Sequence, residues 1–223
     1  GEESNPKTNL LILWGDKSGK PLWQYHASGN FHDVSLSDDG KYIAGSTGCP
    51  DRRFYLFSKD SNKPLIKSDP LTRDSPVHRA KISKDGTLVA VGSESDAGAV
   101  FLFNKNSKTP VWKFSTLGGS SVRALNFTPN GKYIGAATFG GDAYIFDKEK
   151  GAPIASWKVN ASLGGIDIAD DGSFIAAGGT DKKLHIFKKG TQTGKDVSFD
   201  EYVEEVDISG NGREEPDSMI HKH

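Results

Sequence analysis

Four side chains able to carry positive charge, His32, His78, Arg79 and Arg123, stand at neighbouring places in connections that recur along the chain. These read HASGNFHD at 26–33, SDPLTRDSPVHR at 68–79 and STLGGSSVR at 115–123, with a fourth, NASLGG, at 160–165. Gathered at one end of a fold, two imidazoles and two guanidiniums would make a site for an anion or an acidic peptide, because guanidinium presents a planar fork of donors to a carboxylate. Left on separate solvated loops, the same cations would pair with nearby Asp33 and Asp74. Carboxylates also recur, at Asp51, Asp96, Asp142 and Asp181. A calcium site would need several oxygens at roughly 2.3–2.6 Å from one point, which one Asp per repeat does not offer. The expected role of these residues is therefore to accept backbone N–H groups two residues on and hold turns. Trp23, Trp112 and Trp157 each bring a large apolar area and one N–H that needs a partner. They serve either packing between repeats or an aromatic-lined pocket. Trp157 lies two residues later relative to its preceding Pro than the other two, so it is expected in a different setting.

Sequence motifs for nucleophilic, zinc-hydrolytic, P-loop and dinucleotide chemistry are all missing from the chain, and no catalytic residue, metal or cofactor is expected. A hydrolase or lyase assembled from separated residues would draw first on His32, His78 and Asp33. Charge is balanced, 28 basic against 29 acidic residues, which gives no phosphate-backbone footprint and so no nucleic-acid partner. Cys49 stands alone, so no intrachain disulfide framework exists. No apolar run approaches the roughly 18 residues that would span a bilayer, and GEESNPKTN lacks the basic-then-apolar order of a signal peptide. Composition leaves the compartment open, cytoplasmic or the soluble part of an exported protein.

The elements that must position these residues announce themselves through the 26 glycines. Asp39-Gly40, Asp85-Gly86, Asn130-Gly131, Asp171-Gly172 and Asn211-Gly212 are spaced by 46, 45, 41 and 40 residues. Each follows an alternating segment, VSLS, AKIS, LNFT, IDIA or VDIS. The first four lead into KYIAGS, TLVAVG, KYIGAA or SFIAAG, the pattern of a tight hairpin. A third strand ends in an aromatic column, Trp14, Phe57, Phe103, Phe146 and Phe187. A fourth opens with Pro21, Pro64, Pro110 or Pro153, where the missing N–H is harmless. Such connections are too short for parallel crossovers.

Four short antiparallel strands every 40 to 46 residues predict an all-β β-propeller. The pattern resembles the WD40-like propeller repeat, with a secondary likeness to the quinoprotein-type repeat in GKPLW, although the Trp-Asp dipeptide is absent. One domain over 9–209 is expected, with complete blades at 21–58, 64–103, 110–147 and 153–187. A fifth blade would be shared between 195–209 and 9–14, and segments 1–8 and 210–223 would be terminal. The alternative is part of a seven- or eight-bladed ring, or a half-ring that pairs with a second copy. Alternation predicts a core of Val34, Leu36, Ala80, Ile82, Leu125, Phe127, Ile166, Ile168, Val206 and Ile208, joined by Ile43, Val89, Ile134, Ile175 and the aromatic column. The resemblance implies a non-enzymatic scaffold binding a protein or peptide through loops at one face of the ring. A hydrolase or lyase at the channel mouth, or a structural segment of a larger propeller, are the competing readings.

Overall fold

From Leu10 to Ser198 strands form where the pattern places them. The computed structural model describes residues 9–15, 19–94 and 98–209; Asp96, Asn211-Gly212 and the segment from Ser218 to His221 lie outside that range. A first sheet holds β1 (Leu10–Trp14) and β2 (Pro21–His26). The second holds β3 (Phe31–Leu36), β4 (Tyr42–Thr47), β5 (Phe54–Ser58) and the short β6 (Ile66–Lys67). The third holds β7 (Val77–Ile82), β8 (Leu88–Ser93), β9 (Ala99–Asn104) and β10 (Pro110–Ser115). The fourth is β11 (Val122–Phe127), β12 (Tyr133–Thr138), β13 (Asp142–Asp147) and β14 (Pro153–Lys158). The fifth is β15 (Leu163–Ile168), β16 (Phe174–Gly179), β17 (Lys183–Lys188) and β18 (Lys195–Ser198). All pairings are antiparallel and follow chain order.

The turns explain the first pairing in each sheet. Oδ1 of Asp39 accepts the Lys41 N–H at 3.0 Å and the Ser37 hydroxyl at 2.8 Å. Asp85, Asn130 and Asp171 accept the N–H two residues on in the same way, at 3.0, 2.9 and 2.8 Å. The following glycines, Gly40, Gly86, Gly131 and Gly172, have φ of 64°, 70°, 66° and 68°, a region that other residues enter only with strain. This backbone-capping role thus belongs to the hairpin residues. Asp51 and Asp142 instead bridge strand ends, accepting the hydroxyls of Thr47 at 3.0 Å and Thr138 at 3.2 Å.

Strand pairing corrects the expected phase of the repeat. Pro21, Pro110 and Pro153 open β2, β10 and β14, which pair with β1, β9 and β13, so the Pro strand ends the sheet before it. The sheets run 31–67, 77–115, 122–158 and 163–198, one strand later than the units 21–58, 64–103, 110–147 and 153–187. A Pro marks a strand's first residue without telling which neighbour that strand takes. Lys195–Ser198 likewise pairs with β17 as an outer strand and does not open a fifth blade shared with 9–14. Residues 202–209 form no ladder.

Five apolar seams join the stack. β1–β2 lays Leu11, Leu13, Trp23 and Tyr25 on Ile43, Tyr55 and Phe57 of the second sheet. Successive seams unite the second sheet with the third, the third with the fourth and the fourth with the fifth. In the last, Val203, Val206 and Ile208 rest on Ala176, Leu184 and Ile186. One device recurs in three of the seams. Trp23 stacks near Phe57 at 5.4 Å and donates its indole N–H to the Lys59 carbonyl at 2.8 Å. Trp112 does the same with Phe146 at 5.3 Å and Lys148 at 2.9 Å. Trp157 joins them, on Phe187 at 5.3 Å and Thr191 at 2.8 Å. Its two-residue displacement is matched by a displaced acceptor, so its setting is the same in kind. Ile66 occupies this place in the seam between the second and third sheets.

Most of the expected core is buried. Trp14 at 58%, Val34 at 37% and Leu36 at 54% exposed lie at the start of the stack, where no full sheet precedes, and Val206 near its other end is half-buried. Phe146, fully buried in its seam, is expected to lose about 3–5 kcal/mol of stability on replacement by Ala. Trp112→Phe, which keeps a ring and loses the N–H bond, should lose about 1 kcal/mol. Urea unfolding of both variants measures the difference.

Candidate interaction site at the bulged ends of the inner strands

The first strand of each full sheet carries a bulge one residue from its start. Register shifts between Phe31 and Asp33, Val77 and Arg79, Val122 and Ala124, and Leu163 and Gly165. The extra residues are His32, His78, Arg123 and Gly164. A bulged residue has no ladder partner and its side chain is re-aimed. That is why three of the residues singled out from sequence form a column and meet. The His32 and His78 rings are 5.6 Å apart, edge to face, and Arg123 Nη1 lies 3.4 Å from His78 Nε2. Arg79 donates from Nε to the Arg123 carbonyl at 2.5 Å, joining adjacent inner strands.

A second column faces the first, made by the residue just past each second strand: Gly48, Glu94, Phe139 and Thr180. Each donates its backbone N–H to the connection before the bulge, Gly48 to Asn30, Glu94 to Pro76, Phe139 to Ser121 and Thr180 to Ser162. Glu94 binds Arg123 Nη1 at 2.7 Å and lies 3.5 Å from His78 Nδ1. The Arg123 guanidinium also lies over the Phe139 ring, 5.3 Å from its centre. Sequence reasoning missed Glu94. It lies one residue beyond Ser93, the register partner of Val77, and so stands across from the start of the bulged strand.

The expected partners of these cations are placed elsewhere. Asp33 bonds Lys81 at 3.2 Å and accepts the Ala80 N–H at 3.1 Å, while Asp74 faces Arg52 and Arg73 at 4.0 and 3.9 Å. Trp23 and Trp112 belong to the seams and line no part of the site. A cavity of about 770 Å³ opens beside the column, bordered by His78, Arg79, Arg123, Phe139, Gly164 and Glu204 among others. His32 stays outside its lining, over Gly48, where a Cβ would collide with the imidazole.

Inner strands are tied to one another by the polar residues between their core positions. Ser35 Oγ donates to the Ala80 carbonyl and accepts the Ile82 N–H, both at 2.9 Å. Asn126 donates to Asp167 Oδ1 at 2.7 Å, and Asp167 Oδ2 accepts the Ile208 N–H at 2.6 Å. Ile208 thus stands to Asp167 as Ile82 stands to Ser35. Residues 203–208 take the place of another inner strand, with Glu204 continuing the bulge column. Gly165 makes room, since a Cβ there would sit 2.6 Å from the Glu204 carbonyl oxygen.

Burial, then the charges of Arg79 and Arg123, hold His78 down at about 4 from its usual 6.5. It is a neutral imidazole at pH 7, and the cationic character of the cavity rests on Arg79, Lys81 and Arg123. Burial next to Asp207 pushes Asp167 up to about 6. Among the described residues no three His, Cys, Asp or Glu side chains gather as a metal site, and no helix is long and apolar enough to cross a membrane.

Stacked four-stranded antiparallel sheets with inner strands linked side by side define a propeller-type repeat protein. The family profile described as "Anaphase-promoting complex subunit 4 WD40 domain" matches residues 81–169, and that described as "WD domain, G-beta repeat" matches 151–188. Protein groucho of Drosophila melanogaster is 28% identical over 155 residues, 68% of this chain and 21% of that protein. Protein hir1 of Emericella nidulans is 27% identical over 140 residues, 56% of this chain and 13% of that protein. The chain thus carries divergent WD40-type repeats over 81–188, and it spans 21% or less of the length of these relatives.

Proton linkage gives the two perturbed groups opposite signatures. Folded His78 binds its proton less readily than the unfolded chain does, so stability should rise with pH between about 4 and 6.5 on its account. Folded Asp167 binds its proton more readily, so its contribution should fall as pH rises from 3.8 to about 6. Unfolding measured across this range should therefore steepen upward in Asp167→Asn and flatten in His78→Gln, with NMR titration of the His78 ring reporting its midpoint directly.

Proposed function

We propose that the chain, as one domain over 9–209, is a non-enzymatic module that holds an extended peptide segment of a partner protein at the bulged end of its inner strands. Similarity to WD40-repeat domains supports a general protein-scaffold role. The observation that carries the finer reading is the bulge column. His32, His78, Arg123 and Gly164 leave the ladder at matching register, and Glu204 lies beside Gly164 and Gly165. Those positions differ in charge and size while the strands beneath them repeat, as expected of a binding surface grafted on a regular scaffold.

The cavity's chemistry selects the kind of peptide. Arg79, Lys81 and Arg123 line one side, Glu204 and Glu205 another, and Phe139 and Tyr202 stand 58% and 60% exposed at its border. A segment carrying an acidic residue near Arg79 and Arg123, with an apolar residue for Phe139 and Tyr202, meets both needs. Exposed aromatic rings and Arg are the side chains that most often dominate interface energies. Glu94, already bonded to Arg123 at 2.7 Å, would exchange that partner for the peptide's carboxylate or share it.

Selection of displayed random peptides on the purified chain tests this reading. Enriched sequences should contain Asp or Glu beside an apolar residue. Synthetic versions should bind at least tenfold more weakly to Arg79→Ala/Arg123→Ala, and indistinguishably to Leu22→Ser, whose side chain is exposed away from the column. Enrichment of nothing, or of peptides indifferent to both arginines, would defeat it.

A further inference from the structure

One cation at the bulged end is left without a counterion. Lys81 has Asp33 at 3.2 Å and Arg123 has Glu94 at 2.7 Å, whereas Arg79 enters no ion pair among the described residues. Its guanidinium is nonetheless held in place. Nε donates to the Arg123 carbonyl at 2.5 Å, which orients the group and leaves the N–H groups of its two Nη atoms as an end-on fork. A fork of that geometry matches the two oxygens of a carboxylate. Arg79 is half-buried on β7 and borders the cavity, so the receptor for an anion is built before any ligand arrives.

Arg123 is committed instead. Its Nη1 donates to Glu94 Oε1 at 2.7 Å and lies 3.4 Å from His78 Nε2, and its guanidinium lies over the Phe139 ring. An arginine N–H can only donate, so His78 Nε2 accepts and the proton of the neutral ring sits on Nδ1, 3.5 Å from the same Glu94 oxygen. Glu94 is thus faced by two N–H groups. Its side chain is 19% exposed, and its own N–H is bonded to the Pro76 carbonyl at 3.0 Å. An incoming anion that took Arg123 away would leave a largely buried carboxylate facing a neutral ring, which is a costly exchange. A carboxylate that settles on Arg79 disturbs none of these contacts. Charge across the cavity points the same way. The opposite wall carries Glu204 and Glu205, so a ligand's first negative charge finds one unpaired guanidinium and a second finds only like charge.

We infer that Arg79 receives the partner's acidic group, and that Glu94, by keeping Arg123, restricts that group to a single negative charge. On the peptide-binding reading above, on which this rests, Glu94 and Arg123 stay together when the ligand binds. The segment bound carries one Asp or Glu side chain at this place. A phosphorylated residue there, close to doubly charged at neutral pH, is refused for want of a second cation. Discrimination of this kind is built from repulsion as much as from attraction. Glu94 touches no part of the ligand and acts as a positioning residue, through the charge it withdraws from Arg123.

Two fluorescein-labelled mixtures of short synthetic peptides, identical except for one fixed residue, glutamate or phosphoserine, beside a fixed leucine, are titrated with the full chain and followed by anisotropy. The glutamate mixture should bind at least tenfold more tightly. Arg79→Ala should weaken it at least tenfold, and Arg79→Lys, which keeps the charge and loses the fork, several-fold. Glu94→Gln, which keeps the shape and releases Arg123, should strengthen phosphoserine binding at least tenfold and glutamate binding much less. A merely structural Glu94 would change both mixtures alike. Titration with sodium acetate and sodium phosphate, read at the Nε–H NMR signals of Arg79 and Arg123, separates this inference from the peptide reading. If neither mixture binds, yet acetate moves Arg79 in the parent and phosphate does so only in Glu94→Gln, the peptide reading falls and the charge selection stands. Phosphoserine bound as tightly as glutamate by the parent, a preference unmoved by Glu94→Gln, glutamate binding indifferent to Arg79→Ala, or no response to either peptide or either salt would overturn it. So would an equal gain from Asp96→Asn, because the general acidity of this stretch, and not the bond to Arg123, would then set the preference.

Discussion

Every middle strand here is apolar on both faces, and that single constraint organises the rest. β4, β8, β12 and β16 read YIAGST, LVAVGS, YIGAAT and FIAAGG, buried from the second residue onward. An antiparallel sheet commonly gives one face to water and alternates accordingly. These strands do not alternate, so each sheet must find a neighbour on both sides. A sandwich satisfies one face per sheet. Stacking of like sheets satisfies two, and it does so with one seam design repeated: Phe at the end of the third strand, a large side chain from the sheet before, and small residues where the inner strands converge.

Packing on both faces also decides where variable chemistry can sit. Side chains of the middle strands are committed to seams, and even the polar residues of the inner strands are drawn into strand-to-strand bonds. Ser35 and Asp167 each hold the backbone of the next inner strand, and Asp33 does likewise through Ala80. What escapes is the residue that the bulge removes from the ladder. Because His32, His78, Arg123 and Gly164 have no seam to fill, their identities are free to differ from sheet to sheet. Their convergence nonetheless follows from the bulge recurring at one register.

Much of this architecture is legible in the sequence because its signals are local. Asp-Gly and Asn-Gly fix the first hairpin of each repeat, and the aromatic column marks the third strand. The phase of the repeat was harder, because Pro21 or Pro110 identifies a strand's start and says nothing of the ladder it joins. The bulge left no mark that alternation could register: one extra residue in VHRAKI looks like ordinary sequence. The basic residues were therefore recognised as neighbours, while the cause of their meeting, and the carboxylate of Glu94 set among them, came from the register. Trp157 shows the converse error. A two-residue offset read as a different environment proved to be the same indole-to-carbonyl device slid along the strand, with the acceptor moved from the second residue past the Phe, as at Lys59 and Lys148, to the fourth, Thr191.

Differences between repeats carry the information that the regular scaffold cannot. In the last seam the bridging residue is a carboxylate, Asp167, with Asp207 beside it, where the first full seam uses the uncharged Ser35. Both accept a backbone N–H, so both serve the geometry. A buried carboxylate does so at the cost of desolvation, and a second carboxylate nearby raises that cost. Ser35 makes a bond whose strength is indifferent to pH, while Asp167 makes one that is strongest when ionised and easiest to accommodate when not. In the hold on residues 203–208, electrostatic strain and hydrogen bonding thus oppose each other. That same segment brings Glu204 and Glu205 to the cavity, so the acidic wall of the site hangs on the most conditional joint in the stack, and the basic wall on its most regular ones.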